Sequence, residues 1–248
     1  MPGTLAWHKR RMKRGYFITG TDTGVGKTLV TCALLHAFAA AGLRAAGMKP
    51  VAAGAERTGG ALTNGDVEQL LAAANVAAPR HIVNPYCFTL PIAPHIAAAG
   101  AGVTIDLEHI ERCCAELALL ADVVIVEGVG GFCVPLGPGS DTAALAVRLA
   151  LPVVLVVGMR LGCLNHALLT AEAIAARGLA LAGWIANHID PQMEAAEANV
   201  RALEERLRAP LVCRIAYAPQ AQARAIASQL DLARLRTGAG PQRATQGE

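Results

Sequence analysis

Apolar residues in this chain gather into short unbroken runs separated by longer stretches of helical character. Tyr16–Thr19, Leu43–Pro50, Asp122–Glu127, Pro152–Val157, Leu179–Ala186 and Pro210–Ile215 are of strand length and mostly aliphatic or aromatic. Their apolar positions are continuous rather than alternating, as in strands covered on both faces. Between them, Leu29–Phe38, Asp66–Ala74, Leu107–Leu120, Asp141–Leu149, Asn165–Arg177 and Met193–Arg208 read as helices, and Ala53–Gly65 as a glycine-rich loop. This alternation predicts an α/β fold, a mostly parallel sheet with helices on both faces. With no internal repeat or break in composition, one domain is expected over residues 13–236. Residues 1–12 read as a disordered basic lead and 237–248 as a disordered tail.

Composition narrows the function classes. The 248 residues, 54% of them hydrophobic, can bury one sizeable core. A net charge of +3, without a basic face interleaved with aromatics, gives no case for nucleic acid. Lys9-Arg-Arg-Met-Lys-Arg14 is basic, but the apolar stretch after it is too short for a signal peptide. The longest apolar run, Leu149–Met159, is about half a membrane span. Seven cysteines without paired spacing fit free thiols in a reducing compartment, and Cys113-Cys114 lacks metal-ligand spacing. The expectation is a cytoplasmic protein with no nucleic-acid or membrane partner.

Of the 22 basic residues only four are lysine: Lys9, Lys13, Lys27 and Lys49. The last two lie where a compact ammonium suits a phosphate better than a flat guanidinium. Lys27 closes Gly20-Thr-Asp-Thr-Gly-Val-Gly-Lys-Thr28, read as a P-loop of the G-x-x-x-x-G-K-[ST] type, with a strand before it and a helix after it. That arrangement directs backbone N–H groups and a helix N-terminus at an anion. The fold is therefore expected to be a P-loop-type domain. Lys27 would reach the β- and γ-phosphates and the Thr28 hydroxyl would meet Mg²⁺.

In parallel sheets, ligands bind beyond the carboxyl ends of the strands. Lys49 and Glu127 end two of the expected strands, and Glu127 stands where a P-loop protein places an acid that works with its metal. A surface glutamate closing a strand is the plainer alternative. Asp66, after Asn64-Gly65, could serve the same metal or could cap a helix.

Several further motifs accompany these: Lys49-Pro-Val-Ala52, Asn84-Pro-Tyr86, Ala93-Pro-His95, Val126-Glu-Gly-Val-Gly-Gly131, Leu161-Gly-Cys-Leu-Asn-His166 and Ala182-Gly-Trp-Ile-Ala-Asn187. Together with the P-loop they resemble the dethiobiotin synthetase family over residues 13 to 217. The resemblance implies an enzyme, a cyclo-ligase that forms the ureido ring of dethiobiotin from 7,8-diaminononanoate (7,8-diaminopelargonate) and CO₂ and releases ADP and phosphate. It implies ATP as co-substrate, Mg²⁺ as cofactor and a homodimer. Carried over by position, Gly24, Val25, Gly26, Lys27, Thr28 and Leu29 would bind the triphosphate, with Asp66, Glu127, Gly128, Val129 and Gly130 lining the nucleotide cleft. Asn187 and His188, with Ala216, Tyr217 and Ala218, would frame the adenine. Thr28, Asp66 and Glu127 would bind the metal. Lys49 matches the family's active-site lysine and would act with Lys27. Lys49 and Ala53 would contact the substrate, while Gly162, Cys163, Leu164 and Asn165 would hold its carboxylate across the dimer interface.

The implied chemistry runs through a carbamate, its attack on the γ-phosphorus to give a carbamic–phosphoric anhydride, and closure by the second amine. Cations and N–H dipoles suffice for such a transfer, and no nucleophilic side chain is needed. This chain departs from the family's common pattern at Ala53, where a hydroxyl residue is usual, and at Gly24, which is glutamate in some members. Arg160 replaces a frequent lysine, and Ile215-Ala-Tyr217 a more usual Ile-Pro-aromatic run. His95 and His166 could orient neighbours or move protons. Two other readings are an amidating ligase, which would often need a glutaminase region, and a partitioning-type ATPase, whose P-loop typically carries an additional early lysine. Here no lysine falls between Gly20 and Gly26.

Overall fold

The computed structural model describes residues 14–235, so the lead at 1–12 and the tail at 237–248 lie outside the described residues. Six strands make the main sheet: β1 (Arg14–Gly20), β2 (Ala45–Met48), β3 (Val123–Glu127), β4 (Val153–Met159), β5 (Leu181–His188) and β6 (Leu211–Ile215). Their order is β6-β5-β4-β1-β3-β2, and every pairing among them is parallel. All six continuous apolar runs became these strands.

Successive residues of a strand face opposite sides, so each strand feeds two cores. Tyr16, Ile18, Val123, Ile125, Val154 and Val156 pack with Val30, Ala33 and Leu34 of the helix Lys27–Ala40. On the other face Phe17, Val124 and Val126 meet Ile110 and Leu117 of Leu107–Leu120 and Leu145 of Thr142–Leu149. That face continues over β4 and β5, where Leu155 and Trp184 pack with Ala167 of Cys163–Ala176 and Val200 of Ala196–Arg206. Helical crossovers between the strands keep them parallel, so all six carboxyl ends open on one edge.

The expected loop Ala53–Gly65 holds an antiparallel hairpin, Glu56–Thr58 with Ala61–Thr63. Gly59 and Gly60 turn it with φ of 59° and 85°, the paired positive angles that tight hairpins favour. Its strands are three residues long, one of them polar throughout, so no apolar pattern announces them. The next helix runs over Gly65–Ala73, capped by Asn64, whose side chain accepts from the N–H groups of Asp66 and Val67. Asp66 therefore lies in the first turn and is not the cap. The helix at Leu161-Gly162 begins at Cys163, two residues before the expected Asn165. Short helices Arg80–Val83, Pro94–Gly100 and Ala223–Ala227 fill stretches without a readable period.

Candidate active site

Every residue expected to bind ligand lies at a carboxyl end of the main sheet or in a segment packed against one. β1 runs into the loop Gly20–Thr28, and β2 delivers Lys49. β3 ends on Glu127, followed by Gly128–Gly130. β4 leads to Gly162–Asn165, β5 ends on Asn187 and His188, and Ala216–Ala218 leave β6.

Counted back from Gly26, the strict P-loop spacing puts its first glycine at Thr21, with Gly20 one residue earlier. The expected G-x-x-x-x-G spacing is therefore corrected to a longer loop. Thr21 is tied to the sheet: its N–H donates to the Val156 carbonyl at 3.0 Å, and its Oγ1 accepts from the Gly158 N–H at 3.3 Å. Gly26 has φ 92° as the residue capping the Lys27–Ala40 helix, a conformation that disfavours any Cβ. Gly24 also has positive φ (74°) but faces open space, so the glutamate of other family members would meet backbone strain here and not a clash.

Lys27, buried to 7% exposure, donates to the Asp22 carbonyl at 2.8 Å. Burial, and then the neighbouring Lys49 ammonium, push its pKa down to about 8. Asp22 is itself braced. Its carboxylate accepts from the Thr23 N–H at 2.7 Å and from Arg160 at 2.5 Å; the Thr23 contact first, and then Arg160, hold its pKa below the ordinary value against the opposing effect of burial. Arg160, a departure from the family pattern, thus joins the P-loop to the turn that opens the Cys163–Ala176 helix.

Lys49 is the hub of the site. Its ammonium lies 2.5 Å from Glu127 Oε1 and 2.9 Å from Asp66 Oδ2. Burial alone would lower its pKa, but the two carboxylates overcome that and raise it. Asp66 is moved the opposite way: burial works to raise its pKa, and Lys49 carries it below the ordinary carboxylate value. Thr28 Oγ1 donates to the same Glu127 oxygen at 2.8 Å. The backbone of Lys49 is gripped from the end of the Arg80–Val83 helix and the residue after it. Its N–H donates to Val83 O at 2.9 Å, and its carbonyl accepts from Asn84 Nδ2 at 2.6 Å.

Glu127 is no surface residue. It is 1% exposed, and its second oxygen, Oε2, is buried without a hydrogen-bond partner among the described residues. An orphaned carboxylate oxygen is costly unless something binds it. Among the described residues no three His, Cys, Asp or Glu cluster as a metal site. Two carboxylates, a hydroxyl and a neighbouring phosphate loop suit Mg²⁺, which takes one or two carboxylates and fills the rest of its octahedron with phosphate oxygens and water.

Around this centre, Ala53 is half-buried and its carbonyl accepts from Asn64 Nδ2 at 3.1 Å. Gly162 and Asn165 are exposed while Cys163 is buried. Ala216–Ala218 are exposed at the end of β6. Asn187 is buried and donates from Nδ2 to the Val25 carbonyl at 2.8 Å. Asn64, which caps the Asp66 helix, and Asp22 escaped sequence reasoning about the site. Asn84 appeared there only as part of a motif.

The model of an AAA domain family matches residues 14–225. The ATP-dependent dethiobiotin synthetase BioD of Nitrosospira multiformis is 57% identical over 227 residues, spanning 90% of this chain and 97% of that protein. The protein of the same name from Aromatoleum aromaticum is 56% identical over 219 residues, spanning 88% and 97%. The chain belongs to the dethiobiotin synthetase family. Among solved structures, the MinD cell division protein of Aquifex aeolicus aligns with a TM-score of 0.51 at 18% identity, covering 83% of both chains. A ParA family ATPase from Chlorobium tepidum aligns with a TM-score of 0.51 at 14% identity, covering 84% of this chain and 85% of that one. At that identity these two share the fold with this chain, and a shared fold does not carry a shared function.

Proposed function

We propose that this protein is an ATP-dependent dethiobiotin synthetase that closes the ureido ring from 7,8-diaminononanoate and CO₂. The observation that carries this reading is the buried Lys49, set between Asp66 and Glu127 beside the P-loop lysine and threonine. That arrangement gathers two ammonium groups and two carboxylates where a transferring phosphoryl group would develop charge.

One substrate amine takes up CO₂ as a carbamate; a carbamate oxygen attacks the γ-phosphorus of ATP, the bond to the β–γ bridging oxygen breaks, and ADP leaves, giving a carbamic–phosphoric anhydride. Lys27 and the loop N–H groups bind the triphosphate, and Lys49 offsets charge on the transferring group. The second amine then attacks the carbamoyl carbon. The bond from that carbon to the phosphate oxygen breaks, and phosphate leaves. Thr28, Asp66 and Glu127 would hold Mg²⁺, which when bound neutralises phosphate charge. Gly24–Leu29, Asp66 and Glu127–Gly130 form the nucleotide cleft, with Asn187, His188 and Ala216–Ala218 about the adenine. Ala53 and Gly162–Asn165 take the diamine and its carboxylate. Leu161, 94% exposed beside that turn, supports a homodimer with the substrate at its interface. No helix among the described residues is long and apolar enough to cross a membrane, and we assign the protein to the cytoplasm.

The test is isotopic. With ¹⁸O-bicarbonate, the oxygen that attacks phosphorus leaves with phosphate, so early in turnover the released phosphate carries bicarbonate-derived label. ATP consumption should require diamine and bicarbonate together, and mass spectrometry should find dethiobiotin. Unlabelled phosphate before bicarbonate exchanges with water would refute the mechanism. ATP turnover indifferent to the diamine would refute the function.

A further inference from the structure

The crest of the P-loop is held from a strand two places away. β5 does not pair with β1; β4 lies between them. Yet Asn187, near the end of β5, reaches across to the Val25 carbonyl. The sheet is shaped to allow it. Asn187 pairs in register with Gly158 of β4, and a Cβ on Gly158 would lie 2.7 Å from Val25 Cγ1. A Cβ on Gly20 would lie 2.6 Å from Val25 Cγ2, and one on Gly26 would collide with the Asn187 amide nitrogen. Val25, 1% exposed, is thus seated between two glycines while its carbonyl is fixed by a buried amide.

We propose that Asn187 is a positioning residue of the phosphate loop, and that base recognition is not its whole role in the nucleotide site. A buried carbonyl strongly prefers a partner. Fixing the Val25 carbonyl fixes the peptide joining Val25 to Gly26, and with it the direction of the next N–H groups in the loop. The amide has a second proton and an acceptor oxygen left for the nucleotide. One side chain thereby couples the base pocket to the phosphate cradle. This inference rests on the nucleotide reading of the site.

Inorganic tripolyphosphate separates the two roles because it has phosphates and no base. Calorimetric titration of tripolyphosphate with Mg²⁺ into wild type, Asn187→Ala and Asn187→Leu should show weaker binding in both variants, by about tenfold or more, since a buried carbonyl loses its donor. Asn187→Leu keeps the size of the side chain and adds no charge beside the phosphates, so it carries the test if the alanine variant does not fold; circular dichroism decides which is used. Tripolyphosphate affinity within twofold of wild type, with ATP affinity reduced, would confine Asn187 to base contact and overturn the proposal. In wild type without nucleotide, one side-chain amide proton of Asn187 should be protected from exchange by NMR; an unprotected amide would overturn it as well. Wild type binding neither ATP nor tripolyphosphate would instead remove the nucleotide reading, and this inference with it.

Discussion

Lys49→Met removes an ammonium and keeps most of its aliphatic stem, so the variant isolates the charge at the hub of the site. In wild type that ammonium contacts Glu127, whose side chain is fully buried, and Asp66, whose side chain is 42% exposed. The Asp66 arm, being partly solvated, is worth no more than about 1 kcal/mol. The Glu127 arm dominates, because deleting one partner of a buried pair leaves an uncompensated charge and costs about 3–5 kcal/mol. For a domain of this size that lowers Tm by roughly 6–20 °C. Replacing both partners, Lys49→Met with Glu127→Gln, should recover most of the loss, since no buried charge is then left alone.

The assay is thermal unfolding of nucleotide-free protein, with and without MgCl₂. Asp66 and Glu127, left without the ammonium, should accept the divalent ion in its place, so Mg²⁺ should raise the variant's Tm more than that of wild type. The pH window follows from the two shifted groups. Lys49, raised above 10.5, contributes fully below that pH and loses its contribution only above it. Asp66, lowered below 3.8, contributes above that pH and loses its contribution as acid titrates it. In wild type, both contributions are therefore constant through neutral pH. A Lys49→Met protein that melts within about 2 °C of wild type, less than 1 kcal/mol for a domain this size, would refute the buried-pair argument.

Lys27→Ala should lower turnover at least ~10²-fold as a lost electrostatic stabiliser. Because burial disfavours its charge, denaturant titration at pH 7 should find the variant at least as stable as wild type, with wild type regaining stability as pH rises from about 8 towards 10.5. Asp66→Asn and Glu127→Gln should each raise the Mg²⁺ concentration for half-maximal rate; since Asn64 holds the cap, a near-wild-type Asp66→Asn titration would remove Asp66 from the metal set. Asn64→Ala should cost about 1 kcal/mol through the lost cap, read as a lower midpoint in urea. Iodoacetamide at pH 8 should label exposed Cys133 before Cys32 and Cys114, whose buried thiols are pushed up to about 12; peptide mass mapping checks the order.

The main sheet was legible because burial on both faces writes itself as unbroken apolar runs, and the strand-end rule then named Lys49 and Glu127 before any geometry. Asp66 was ambiguous because an acid after Asn-Gly fits a cap and a ligand equally. Only the backbone shows that Asn64 caps and leaves the Asp66 carboxylate for Lys49. The hairpin after Ala53 was hidden because its strands are only three residues long and its pairing is local and set by two glycines. The brace between Asp22 and Arg160 joins residues 138 apart in sequence, and the Asn187 tether spans 162. Contacts of that range depend on strand order, and a run of apolar residues carries no trace of which strand lies beside which.

Strand order also explains how one fold can serve unlike chemistries. MinD and ParA proteins share the sheet, so the sheet alone selects no reaction. In this chain the P-loop provides one lysine, and its early residues are committed elsewhere: Thr21 to the sheet, the Asp22 carbonyl to Lys27. The second ammonium comes from β2, at the far edge, and reaches the centre only because β3 brings Glu127 between β2 and β1. That route places Lys49 among the carboxylates and on the side of the cleft bounded by Ala53 and Asn64, away from the Asn187 tether. In the mechanism proposed above, that ammonium offsets charge on the transferring phosphoryl group from the opposite side of β3 to the loop lysine.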